Sequence, residues 1–123
     1  MAKTAPDALI DAELDYLAAC DRMIACSAQP TSYSDATTGV DLATATLTPV
    51  TDLPKADDVS GRKVTVAAKL AVTIDHTGTA SHIALCKSSD STLRAITTCT
   101  GQLLTAGGTV DFPSWKWNIT DPT

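Results

Sequence analysis

Lys63-Val64-Thr65-Val66-Ala67-Ala68-Lys69-Leu70-Ala71-Val72-Thr73-Ile74 is the stretch that decides the fold class. Val64, Val66, Leu70, Val72 and Ile74 all fall at even positions, with small Ala68 completing the series. An extended chain points alternate side chains to opposite faces, so this pattern gives a strand one apolar side along its whole length. It predicts one long strand, or two joined by a bend near Ala67-Ala68. Downstream, Asp75-His76-Thr77-Gly78 reads as a turn, Ala80 to Cys86 as a strand, Lys87 to Ser91 as a hairpin loop and Thr92 to Thr98 as its return strand. Leu104 to Thr109, with Gly107-Gly108, turns the chain into a last strand from Val110 to Thr120. There Val110 and Phe112 share one parity while Trp115, Trp117 and Ile119 share the other, which predicts a β-bulge at Pro113-Ser114.

Working back from the same stretch, residues 49–62 and 30–41 are rich in Pro, Asp, Ser and Gly and read as loops. Between them Leu42 to Thr48 alternates apolar residues with Thr, as a half-buried strand does. Arg22 to Ala28 is a short apolar run stopped by Gln29-Pro30, again a strand. Residues 4–21 read as a helix. Thr4, Pro6 and Asp7 suit its first turn, and Leu9, Ile10, Leu14 and Leu17 form an apolar stripe. Asp7, Asp11 and Asp15 line the opposite face, so packing of the stripe has to hold the helix against their mutual repulsion. The expectation is one helix over residues 1–22, for packing or anchoring, and a mainly β domain over residues 23–123. That domain carries six to eight strands in an antiparallel, jelly-roll-like β-sandwich.

Composition agrees. The chain has 123 residues and 20 Thr but a single Glu, Glu13, a bias toward strand over helix bundle. Of its 54 hydrophobic residues 19 are Ala and four Cys, leaving 31 with bulk, enough for one thin core that neighbouring subunits would complete. No apolar run is long enough for a membrane helix. Met1-Ala2-Lys3-Thr4-Ala5-Pro6-Asp7 has no apolar core of a signal peptide, so synthesis in a cytoplasm is expected. A net charge of -5 argues against nucleic acid as a partner. The charge is uneven, -7 over residues 1–60 and +2 over residues 61–123. It reads either as ordinary solvated surface or as two ends that meet partners of opposite sign.

Chemistry-bearing residues are sparse. The soft ligands are Cys20, Cys26, Cys86, Cys99, His76 and His82. The spacings C-x5-C and C-x12-C match no zinc pattern, and His82 and Cys86 lie about 13 Å apart along a strand, so neither a metal nor a cofactor is expected. His82 reads as a structural, hydrogen-bonded histidine. In the hairpin Cys86 falls near the tip opposite Thr92 and Cys99 near the open end opposite Thr79. They are then about 23 Å apart, beyond disulfide reach. Cys20 and Cys26 are near enough in sequence to meet. Two readings stay open: four reduced thiols, or bridges formed after release from the cell, including bridges between subunits. Asp11, Glu13 and Asp15 do not converge on a helix, Asp57-Asp58 reads as solvated loop, and Gly107-Gly108 precedes a strand and so makes no phosphate cradle. No nucleophile–base pair stands out, and an enzyme is not expected. Trp115 and Trp117 read as core or subunit interface. In a carbohydrate-binding module, either Tyr33 with the loop at 30–41 or Trp115 and Trp117 would be the aromatic platform.

Thr79-Ala80-Ser81-His82-Ile83-Ala84-Leu85, Leu93, and Leu103-Leu104-Thr105-Ala106-Gly107-Gly108-Thr109-Val110-Asp111-Phe112 with its closing strand together resemble small tailed-bacteriophage virion proteins. In those families a G-x-A/V-T/S-H strand and hairpin are followed by aGdtv-x-F and a short strand. Ile24-Ala25-Cys26-Ser27-Ala28-Gln29-Pro30 looks like the family's first strand. Ser81 replaces the commoner Thr, no Asp follows Gly108, and Cys86 and Cys99 depart from the pattern. The resemblance implies a non-enzymatic virion subunit with a jelly-roll-like fold. Its expected role is capsid decoration or a head/neck accessory, with a receptor- or carbohydrate-binding module of a tail fibre or spike as the alternative. The implied partners are major capsid, neck or tail subunits and further copies of the chain. The helix stripe and the Trp strand are the candidate contacts, and oxidised cysteines would reinforce a particle.

Overall fold

A continuous apolar run needs cover on both faces, and Arg22–Cys26 (β1) receives it. The computed structural model describes residues 7–58 and 61–119, and their side chains except at 7–11, 13 and 119. Strand β1 lies inside a four-stranded antiparallel sheet, between Asp41–Thr46 (β2) and Gly78–Lys87 (β6), with Thr92–Leu104 (β7) beyond β6. Met23 and Ala25 face one side together with Leu85, Ala43 and Ala45 in the main core. Ile24 and Cys26 face the other, with Ala84 and Cys86 in a second, smaller core.

That second face is covered by a helix where the composition predicts a loop. Tyr33–Thr38 (α2) starts because Ser32 accepts a hydrogen bond from the Asp35 amide, and the Asp35 carboxylate in turn takes the Thr31 amide. Ala36 is fully buried against the sheet, and Tyr33 and Val40 pack at its margin. Small Ala84, Cys26 and Cys86 on the sheet side give so short a helix room to approach.

The rest of the chain forms two smaller antiparallel sheets: Lys55–Asp57 (β3), Arg62–Val66 (β4) and Trp115–Ile119 (β9) in the order β3-β4-β9, and Lys69–Thr73 (β5) with Thr109–Phe112 (β8). An isolated bridge from Ala43 to Ile74 ties β2 to the end of β5. The fold is therefore mainly β and antiparallel, with two short helices where one was expected. The first helix, Asp7–Ala18 (α1), packs on β4 and buries Leu14, Leu17 and Ala18 in the main core. Residues 4–6 of its expected start lie outside the described residues.

Several expectations need correction. Lys63–Ile74 does break at Ala67-Ala68, but Leu70 is 72% exposed rather than inward. The β5–β8 register shifts between Lys69 and Val72, Ala71 takes φ 54°, and the Asp111 carboxylate accepts its amide at 2.8 Å. That bulge adds one residue on β5 and so switches the parity, and Val72 and Ile74 point inward again. Pro113-Ser114 is not a bulge within one strand; it hands the chain from β8 to β9 in a different sheet. Strand β3 lies inside the predicted 49–62 loop, and β7 runs six residues past its expected end at Thr98, so Thr79 opposes Leu103, not Cys99. Cys86 opposes Leu93 rather than Thr92.

Much of the uneven charge is spent inside the fold. Asp52 pairs with Lys69 at 2.8 Å, Asp57 with Arg62 at 2.9 Å and Asp58 with Lys116 at 2.7 Å, each an acid of the first half with a base of the second. Asp57-Asp58 are thus ion-paired rather than simply solvated, and Asp15 pairs with Lys55. Asp21 is the most connected acid: its carboxylate accepts the Ser88 amide and hydroxyl at the β6–β7 tip, while its backbone bonds to Cys86 and Leu47. Burial raises this carboxyl, and the two Ser88 hydrogen bonds outweigh burial, holding it below its ordinary range. A carboxyl lowered on folding stabilises above its unfolded pKa of about 3.9 and loses that contribution as pH falls through the folded value. Asp21→Asn should therefore be less stable than wild type at neutral pH. It should also lose less of its urea midpoint on acidification from about pH 5 to pH 2. Parallel acid losses in the two proteins would refute this role.

Candidate functional site

Strands β7, β8 and β9 each have one unpaired edge among the described residues, since they pair only with β6, β5 and β4 respectively. Strand β7 and strand β8 are joined by the turn at 105–108, where Gly107 takes φ 89° as a tight turn requires. From there they diverge, and the seam between β7 and the β8–β9 run stays open. Near the turn it widens into a cavity of about 240 Å³. Ala25 and Ala80 lie on one wall, Val110 and Phe112 on the other, and the two alanines are too small to fill the gap. Farther along, Leu93–Ile96 and Trp117 line a shallower hollow of about 340 Å³.

Between Pro113, on the wall of the cavity, and Trp117, on the wall of the hollow, stands Trp115. Both Trp rings face the main core beside Val64 and Val66, 6.5 Å apart and edge to face at 64°. The Trp115 Nε1–H is buried with no hydrogen-bond partner. Leaving such a donor unpaired costs about 1–3 kcal/mol. At the side of the hollow Arg94 stacks 4.0 Å over the Tyr16 ring, donates to the Tyr16 carbonyl at 2.5 Å and pairs with Asp90 at 2.9 Å. This clamp from β7 to α1 joins residues remote in sequence, and no local pattern announces it.

The other candidates fall elsewhere. Leu14 and Leu17 are spent on the chain's own core, not offered to a neighbour, and the side chains of Leu9 and Ile10 lie outside those described. Tyr33 is half-buried at the second core, away from the Trp pair. His82 bonds Ser81 through Nδ1 at 2.8 Å, and His76 Nδ1 sits 3.1 Å from the Asp41 carbonyl. No group of three or more His, Cys, Asp or Glu side chains placed to hold an ion occurs among the described residues.

The four cysteines are unbonded within the chain. Cys26 opposes His82 and Cys86 opposes Arg22, which puts these two at opposite ends of β1. Burial, as the largest influence at each, pushes Cys20 and Cys26 up to about 12 and Cys86 to about 11, and also raises Cys99. Desolvation disfavours the thiolate, and with it nucleophilic attack. Under native conditions at pH 8, a thiol reagent should modify Cys99 first, the other three following only as the protein unfolds. Mass mapping that finds Cys20, Cys26 or Cys86 labelled as fast as Cys99 would contradict this order.

No family model, no curated protein and no solved structure matches the chain.

Proposed function

We propose that this chain is a non-enzymatic structural subunit of a tailed-phage virion, a capsid-decorating or head/neck accessory protein that stabilises the particle. We further propose that its three sheets form a jelly-roll-like sandwich open along the β7–β9 seam. The observation that carries this reading is the row of free strand edges on β7, β8 and β9 beside the half-buried Trp117. A subunit contact at the seam would cover Trp117 and pair an exposed edge. The same contact would complete a core that has few bulky residues. Support for the virion setting comes from the strand–turn pattern at residues 79–85 and 103–112. The partners in this reading are further copies of the chain and neighbouring capsid, neck or tail subunits, with no role for nucleic acid, membrane or cofactor.

A tail-fibre or spike module that binds a carbohydrate is the second reading, favoured by one observation: Trp117 lines an open hollow. Light scattering separates the two. The structural reading expects a discrete assembly well above the 12.7 kDa monomer, with Trp emission that shifts on dissociation and ignores added sugars. Trp117→Ala should weaken assembly roughly thirtyfold, the cost of truncating an aromatic interface anchor being about 2 kcal/mol. A strict monomer whose Trp emission responds to sugar would favour the second reading. A folded Trp117→Ala variant that assembles like wild type would show that no neighbour covers the hollow.

A further inference from the structure

The three free edges at the seam are not equivalent. The β6–β7 ladder shifts register at two places, between Ala80 and His82 and between Leu85 and Cys86, and the β5–β8 ladder shifts between Lys69 and Val72. Bulges of this kind bend an edge and spoil it as a template for a further strand. Strand β9 has none: Trp115 to Ile119 pair residue for residue with Val66 to Arg62. Charge is the other common guard of an edge. Along β9 the one charged residue is Lys116, and its ammonium is paired with Asp58 at 2.7 Å. An open edge presents a row of backbone donors and acceptors, so what completes it is another strand.

The sequence of β9 says which strand. Trp115-Lys116-Trp117-Asn118-Ile119 reads apolar, polar, apolar, polar, apolar, the same in both directions about Trp117. Two copies laid antiparallel with Trp117 on a two-fold axis therefore match class for class. Trp117 opposes Trp117, Lys116 opposes Asn118 and Trp115 opposes Ile119. An axis one residue earlier would set Lys116 against Lys116, a like-charge pair that costs stability. An axis one residue later would leave Trp115 opposite no residue of β9. With the axis perpendicular to the sheet, both Trp117 rings stay on the core side, where each is half-buried beside its hollow.

We infer that β9 pairs antiparallel with β9 of a second copy about a two-fold axis at Trp117, joining two β3-β4-β9 sheets edge to edge. The pairing rests on the subunit contact proposed above and gives it an edge and a register. Across the axis the two Trp117 rings cover one another.

Lys116 and Asn118 are exposed and alternate with the core-facing Trp residues, so substitutions there leave the fold in place. Full-length Lys116→Cys and Asn118→Cys are made in a Cys99→Ser background, one of them with a mass tag, and mixed under mild oxidation. Position 116 of one copy then stands opposite 118 of the other, about 4.5–5.5 Å between Cα atoms and within disulfide reach. Each position lies roughly 8 Å from its own counterpart, beyond that reach. Non-reducing gels should show the mixed dimer, and neither variant alone should cross-link. Light scattering adds a test of sign. Asn118→Lys sets like charges opposite at two symmetric places and should weaken association about three- to tenfold. Asn118→Glu sets opposite charges there and should tighten it by about the same factor. Lys63 of β4 also flanks position 118, so association is read from its concentration dependence rather than from thermal stability. A wild-type assembly with no mixed cross-link, or with association indifferent to charge at 118, overturns the β9 pairing and leaves the assembly reading standing. Cross-linking of either variant alone as fast as the mixture overturns the register. A wild-type protein that stays monomeric at every concentration overturns both readings.

Discussion

Burial of β1 on both faces is the constraint on which the rest of the structure depends. Five residues, Arg22–Cys26, pair on one side with β2 and on the other with β6, and no side chain from Met23 to Cys26 reaches solvent appreciably. A strand in that position cannot leave either face bare, because each would expose an apolar row. One face draws in α1 and the two smaller sheets, and the other draws in α2. The two cores differ in character for the same reason. The main one holds the bulky Leu, Val, Phe and Met residues, while the small one is built from Ile24, Cys26, Ala36, Ala84 and Cys86, sized for a helix lying almost against the sheet.

The strands were largely legible from pattern. The hairpin at β6–β7, the break at Ala67-Ala68 and the apolar run of β1 follow from alternation and turn chemistry alone. Three features were hidden by local pattern. Residues 30–41 carry Pro, Ser, Thr and Gly, which read as loop, yet the same Ser32 and Asp35 that favour turns also cap a helix. The exposed Leu70 was hidden because strict alternation assumes an unbroken register, and a bulge is invisible until its partner strand is known. The long reach of β7 was masked by Gly101 and by threonines that pack as readily in a strand as they sit in a loop.

The site was legible only as a pair of residues. Trp115 and Trp117 stand out in a chain with so few aromatics, and their shared parity places them on one face. The empty space next to them depends on which strands remain unpaired and on the small size of Ala25 and Ala80, which come from distant segments. Absence of volume leaves no mark in a sequence. The charge asymmetry misleads in the opposite direction, since three of its acids are neutralised by bases of the other half once the chain is folded.

The transfer of the chain at Pro113-Ser114 has a kinetic consequence. Strand β9 returns to β4 only after β5, β6, β7 and β8 have intervened, and these belong to two other sheets. The β3–β4 pair must therefore wait with one rim unsatisfied while the middle of the chain collapses. Closing so long a loop costs entropy before any contact repays it. Folding limited by such distant pairings belongs to the slow, millisecond-to-second regime of β-rich proteins, and the β4 rim is the surface most open to wrong pairing during that interval.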